Sequence, residues 1–243
     1  MKLFDTTHLL FLIATILFLL STMYLVSKLN RKWQNIMFIF ANLMCSGGIF
    51  FRYAMGLEFT LHLNMRLFLV QMLQVCNFNF ILLPLMLFKR NEIARQYSFM
   101  FSMFAASTTL IVLSNEWKNL NWYDIEIINS WINHLFAIAL PLWMLSARVL
   151  KPKKEYIIKV SVLIFAYFAG SYVIQELLKS KEIISMNANY SFIYGDQSIF
   201  IFDYLYKTIK LPFFYMLPLL PILIVFFIVL TKIFKKYSLK ECE

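Results

Sequence analysis

Residues 71–86 read QMLQVCNFNFILLPLM. The stretch lies inside a run apolar enough to cross a bilayer, yet Gln71, Gln74, Cys76, Asn77 and Asn79 fall within nine positions of it. Polar groups in hydrocarbon are costly unless paired, so a helix that keeps five of them does not face lipid. Cys76 and Asn79 share one helical face, Gln74 and Asn77 another. A helix polar on several sides belongs at the centre of a bundle.

The rest of the chain fits such a bundle. Of its 243 residues, 61% are hydrophobic and only 15% charged, with a mean hydropathy of +0.69. A soluble domain cannot hide that much apolar surface. The charges cluster between apolar runs, which predicts an all-α polytopic membrane protein. A net charge of +10 does not indicate nucleic acid, because the basic residues flank the runs instead of forming one patch. Three cysteines, Cys45, Cys76 and Cys242, do not make a disulfide framework.

Seven spans are expected within a single domain, residues 1–243, at about 9–27, 34–51, 67–88, 97–114, 129–149, 160–177 and 211–233. The first reads as a retained anchor, since no small-residue cleavage site follows it. Gly47-Gly48 in the second admits either a close helix approach or a mild kink. Ser102, Ser107, Thr108 and Thr109 in the fourth suit back-bonding to helix carbonyls. Trp117, Trp122 and Tyr123 suit an interfacial belt. The longest connection, 178–210, carries a Gly195-Asp196 turn signal and reads as a re-entrant or interfacial segment. Lys and Arg number fifteen on one set of connections and eight on the other. By the positive-inside rule the N-terminus lies outside, the C-terminus inside, and 178–210 outside. The expected location is the cell membrane.

The fifth span reads NSWINHLFAIALPLWML, and Ser130, His134, Ala137 and Pro141 share one face of it. An ionisable residue inside a span is a candidate for function; the alternative is a neutral His134 bonded to Asn133 or Ser130. Cys76 alone reads as a small buried hydrophobe. Together the two are more informative. Both spans run inward, Cys76 roughly 14 Å and His134 roughly 8 Å from their starts at 1.5 Å per residue. Both then lie in the outer half of the membrane, and a Cys–His pair is the minimum for an activated thiolate. One thiol and one imidazole at that depth do not make a metal site. Walker, HExxH, GxSxG and dinucleotide patterns are absent, and no cofactor is expected.

Three stretches taken together, the polar third span, the Asn133-His134 of the fifth, and NANYSF with the later Asp203-Tyr204-Leu205, resemble the bacterial YwaF-like integral membrane family. That family resembles in turn a eukaryotic multi-pass acyltransferase family acting on ether phospholipids. The resemblance runs from the second span to the seventh. The family's third-span pattern, Leu-Pro-Leu-His/Gln-Leu-Cys, keeps its Gln and Cys here at Gln74 and Cys76 but lacks its proline. The family's histidine falls on His134, its Asn-Tyr on Asn189-Tyr190 and its later aspartate on Asp203. The resemblance implies Cys76 and His134 as the catalytic pair, with membrane lipids as partners.

Three functions remain open on the sequence. In an acyl-transfer enzyme Cys76 attacks a lipid ester, His134 moves the proton, amides of Gln74, Asn77 or Asn133 hold the oxyanion, and Arg52 and Arg66 hold a phosphate. A small-solute transporter would line its path with the same polar residues, and Pro84, Pro141 and Pro218 would break helices around it. A structural protein would use them to knit helices.

Overall fold

A computed structural model describes residues 5–55, 73–74, 76–88, 91–112, 121–194 and 200–239. Among the described residues the structure is helical, with no strand. The helices are α1 (Thr6–Lys28), α2 (Arg31–Met55), α3 (Asn79–Phe88), α4 (Glu92–Tyr97), α5 (Met103–Ile111), α6 (Ile125–Ser146), α7 (Ile157–Ser180), α8 (Phe200–Ile209) and α9 (Leu219–Leu239). Three stretches are long and apolar enough to cross a membrane: Thr6–Lys28, Ile127–Ser146 and Lys154–Ser180. Leu219–Phe234 is a shorter apolar helix.

α6 is the inner helix, and α1, α2 and α5 all pack against it. Its polar side chains reach the helices around it. Trp131 Nε1 donates to Thr15 Oγ1 at 3.0 Å and Trp143 Nε1 to Thr22 Oγ1 at 2.9 Å, both on α1. Asn133 Nδ2 donates to the Cys45 carbonyl of α2 at 2.8 Å. Phe136 meets Phe18 and Phe40 edge-on, with ring centroids 5.9 and 5.4 Å away. Such aromatic pairs add about 0.5–1.5 kcal/mol each beyond area burial.

Caps and clamps fix the ends. Asp5 caps α1 by accepting from His8 N–H at 2.8 Å, and His8 Nε2 donates to the Leu110 carbonyl at the end of α5 at 2.9 Å. Asn91 caps α4, accepting from Ile93 and Ala94. Gln96, fully buried on α4, clamps the connection between α6 and α7. Its Nε2 donates to the Lys151 carbonyl at 2.8 Å and its Oε1 accepts from Lys153 N–H at 3.1 Å. Lys153 Nζ also reaches Glu92 at 3.4 Å. The Gln96 clamp gathers Arg95, Lys151 and Lys153 at one end of the bundle, called here the basic end, and α1, running parallel to α6, ends there at Lys28. The starts of α1 and α6 mark the other.

The described helices depart from the expected spans in four places. The third span is not one helix: residues 76–78 form a turn, and helix starts at Asn79. The fourth begins earlier, at Glu92, and widens into a π turn at Ser98–Ser102 before α5. Ser107, Thr108 and Thr109 donate to carbonyls four residues back, but Ser102 does not. A π turn shifts the bonding to i→i+5, which moves the expected carbonyl out of place. The seventh begins at Leu219, because Pro212 and Pro218 lack the N–H a helix needs and Phe213 adopts φ 63°. Finally, a Cβ added at Gly47 would meet nothing within 4 Å, so that glycine does not serve a close approach.

Replacing Gln96 with Leu removes both bonds to the connection. A hydrogen bond contributes about 0.5–1.5 kcal/mol net, so a destabilisation of about 1–3 kcal/mol is expected. Thermal unfolding of the protein in detergent measures it, and a cost indistinguishable from zero contradicts the clamp.

Candidate functional site

The turn at 73–78 exists because this part of the chain bonds to itself. Gln74 O accepts from the N–H groups of Asn77 and Phe78 at 2.9 and 3.3 Å. Asn77 Nδ2 donates to Gln74 Oε1 at 3.1 Å. Short amide side chains compete with the helix for backbone partners in this way. Phe78 anchors the turn, stacked on Tyr167 of α7 at 4.4 Å and edge-on to Tyr97 of α4 at 5.8 Å. Backbone outside a helix survives among apolar helices only where protein buries it or it lines a cavity.

Cys76 lies on this turn, half-buried, and faces α6. Its Sγ is 3.3 Å from His134 Nε2. The other ring nitrogen, Nδ1, is 2.7 Å from the Ser130 carbonyl and 3.4 Å from Ser130 Oγ. A carbonyl only accepts, so Nδ1 carries the proton and donates it. That leaves the Nε2 lone pair facing the thiol, to which Cys76 S–H donates. Ser130 thereby sets the tautomer a base for the thiol requires. Cys76 stands twelve residues before the end of α3 and His134 twelve before the end of α6. Both are roughly 18 Å from the basic end at 1.5 Å per residue.

The other expected site residues divide. Gln74 and Asn77 sit on the same turn, and their mutual bond fixes the Gln74 amide with Nε2 turned away from Asn77. Asn133 is engaged with α2 at both ends of its amide, since Cys45 Sγ lies 3.9 Å from its Oδ1. It pins α6 beside the pair. Tyr190 is tied to α7 through its backbone: Gln175 Nε2 donates to its carbonyl and Gln175 Oε1 accepts its N–H, both at 2.9 Å. Asn189 Oδ1 accepts from Tyr194 N–H at 3.0 Å. Gln175 is two turns beyond Tyr167, roughly 12 Å along α7 from the Phe78 contact. Asp203 lies on α8, paired with Lys207 at 2.7 Å. Arg52 lies in α2, its side chain outside the description, and Arg66 lies outside the described residues.

Sequence reasoning missed three groups. Gln175 and Gln96, polar residues inside or beside apolar runs, were the signals for the two clamps. Tyr194, whose hydroxyl donates to Glu176, packs its ring under Lys179 Nζ at 3.5 Å. Burial, and then the Glu176 carboxylate, push the Tyr194 phenol well above its ordinary value. Among the described residues no cluster of His, Cys, Asp and Glu could hold a metal ion.

A model described as the TMEM164 family matches residues 3–233. The chain belongs to the TMEM164 family. With its apolar helices, this makes it a membrane protein. No curated protein and no solved structure matches it.

In this TMEM164-family chain the two described free thiols differ in access, Cys76 half-buried and Cys45 buried. Iodoacetamide is expected to alkylate Cys76 well ahead of Cys45 in the folded protein. His134→Ala removes the proton acceptor and slows alkylation of Cys76 at least tenfold at pH 7. Peptide mass spectrometry reads both, and equal rates at the two cysteines or no effect of His134→Ala contradict the arrangement.

Proposed function

We propose that this protein is a multi-pass acyl-transfer enzyme that uses Cys76 as nucleophile and His134 as base. The observation that carries the reading is the 3.3 Å contact of Cys76 Sγ with His134 Nε2, with Nδ1 held on the Ser130 carbonyl. A nucleophile, a base and a third group that orients the base are the parts nucleophilic catalysis needs.

The substrate is an ester of a membrane phospholipid. His134 Nε2 takes the thiol proton as Sγ attacks the ester carbonyl. The tetrahedral intermediate collapses, the C–O bond breaks, and His134 returns the proton to the leaving alkoxide. A Cys76 thioester and a lysophospholipid result. A second lipid alcohol, deprotonated by His134, attacks the thioester and regenerates the thiol. Gln74 Nε2, its amide held by Asn77, is the side-chain donor best supported for the oxyanion. Arg52 and Arg66 are the headgroup candidates.

The reading takes the chain as seven spans in the cell membrane, N-terminus outside. Each expected span has a described helix over part of it, and the fifteen-to-eight split of Lys and Arg between the two sets of connections favours this orientation. The resemblance to the YwaF-like family supports the same pair of residues.

Exchange of labelled acyl chains between a phospholipid and a lysophospholipid in proteoliposomes tests it. Cys76→Ala is expected to fall to background and His134→Ala by about 10²–10⁴-fold. Both variants should keep normal membrane insertion. Undiminished exchange in Cys76→Ala overturns the reading.

A further inference from the structure

Three elements that touch one another bury hydroxyls that have no partner among the described residues. α4 and the π turn that follows it form the first, α7 the second and α9 the third. On the π turn, Ser98 and Ser102 are closed off from solvent, and among the described residues neither Oγ has a partner. α7 adds Ser161 and α9 adds Thr231, both buried and unpartnered in the same way. Arg95, one turn before Ser98, reaches Glu92 through Nη1 at 3.9 Å but leaves Nε unpartnered.

A serine or threonine inside a helix ordinarily donates to the carbonyl four residues back. Ser107, Thr108 and Thr109, further along the same helical run, do so. The four seam hydroxyls do not. Buried polar groups without partners are rare in folded proteins, and each calls for an explanation.

Their faces and depths fit one path. Phe99 on the π turn packs against Phe234 of α9 at 5.3 Å. Thr231 is one turn from Phe234 on the same face, so it faces the π turn. At 1.5 Å per residue from the basic end, Arg95 lies roughly 5 Å in, Ser161 roughly 6 Å, Ser98 roughly 9 Å, Thr231 roughly 12 Å and Ser102 roughly 15 Å. Cys76 and His134 come next, at roughly 18 Å. The polar groups therefore climb from the basic end to the depth of the Cys–His pair, on three different helices.

We propose that this seam is a water site: a short file of waters enters between α4, α7 and α9 at the basic end and reaches the depth of Cys76 and His134. Neutral hydroxyls that both donate and accept suit water, and a file with side chains from three helices gives each water more than one partner. A phospholipid held at Arg95 would not serve, because its ester lies too close to its phosphate to span the remaining depth. In the packing described here the orphan atoms are closed off, and their missing bonds make that closed packing costly. Admitting water supplies the bonds. The π turn widens the helix at this seam, a feature frequent at functional sites. The file brings the aqueous phase to the depth of His134. The inference stands on the seam itself, whether or not Cys76 attacks an ester.

Cysteine accessibility in reconstituted vesicles tests it. Ser161→Cys, Ser98→Cys, Thr231→Cys and, as a control, Ala106→Cys are exposed to a small, charged, membrane-impermeant methanethiosulfonate. Labelling is read by peptide mass spectrometry, so the native cysteines stay in place. Ser161→Cys and Ser98→Cys are expected to react from the basic side at least tenfold faster than Ala106→Cys, which is as buried and on the same helical run. Seam cysteines that react no faster than Ala106→Cys overturn the proposal. If the variants do not fold, radiolytic hydroxyl labelling of the unmodified protein decides. Met100, on the π turn, should oxidise ahead of Met144 of α6, which is equally closed off; equal rates overturn the proposal. Neither readout depends on acyl exchange.

Discussion

The polar side chains of α6 take their partners from neighbouring elements, and the bundle is arranged to answer them. Trp131 and Trp143 reach hydroxyls on α1, Asn133 reaches a carbonyl on α2, and His134 reaches the turn before α3. An unpaired polar group in such surroundings costs more than a made bond returns. The positions of α1, α2 and α3 around α6 are therefore tied to where these groups sit along it. Cys76 meets His134 as part of that constraint.

The same logic explains why Cys76 lies on a turn. A continuous helix from residue 67 to 88 would point Gln74 and Asn77 to one side and Cys76 and Asn79 to another. Breaking it lets the Gln74 carbonyl and side chain satisfy Asn77 and Phe78 locally. The thiol is then free to face α6. Phe78, between Tyr167 and Tyr97, transmits the positions of α7 and α4 to the turn. Four helices thus bear on one sulfur–nitrogen contact.

Much of this is legible in the sequence. Apolar runs locate the helices because burial outweighs local preference over twenty residues. His134 and Cys76 were singled out as polar groups at compatible depths, and in the structure they meet. The turn at 76–78 was not legible, since hydrophobic periodicity does not register a break whose bonds are made by side chains. The late start of α9 was missed because Pro212 and Pro218 lie inside an apolar run that hydropathy alone counts as span. The π turn left no mark on composition, and Ser102 was expected to bond backward as its neighbours do. The loop residues Asn189 and Tyr190 enter through resemblance alone, and their bonds to Tyr194 and Gln175 run through backbone groups that leave no mark on the sequence pattern.

Acyl transfer through Cys76 requires that its sulfur become acylated. Protein incubated with phospholipid vesicles, quenched in acid and digested, can be analysed by mass spectrometry for acyl adducts. One fatty-acyl group is expected on the peptide that carries Cys76, removed by neutral hydroxylamine as a thioester is and absent from His134→Ala. An adduct on Cys45 or Cys242 in its place, or no adduct while lipid exchange proceeds, contradicts it.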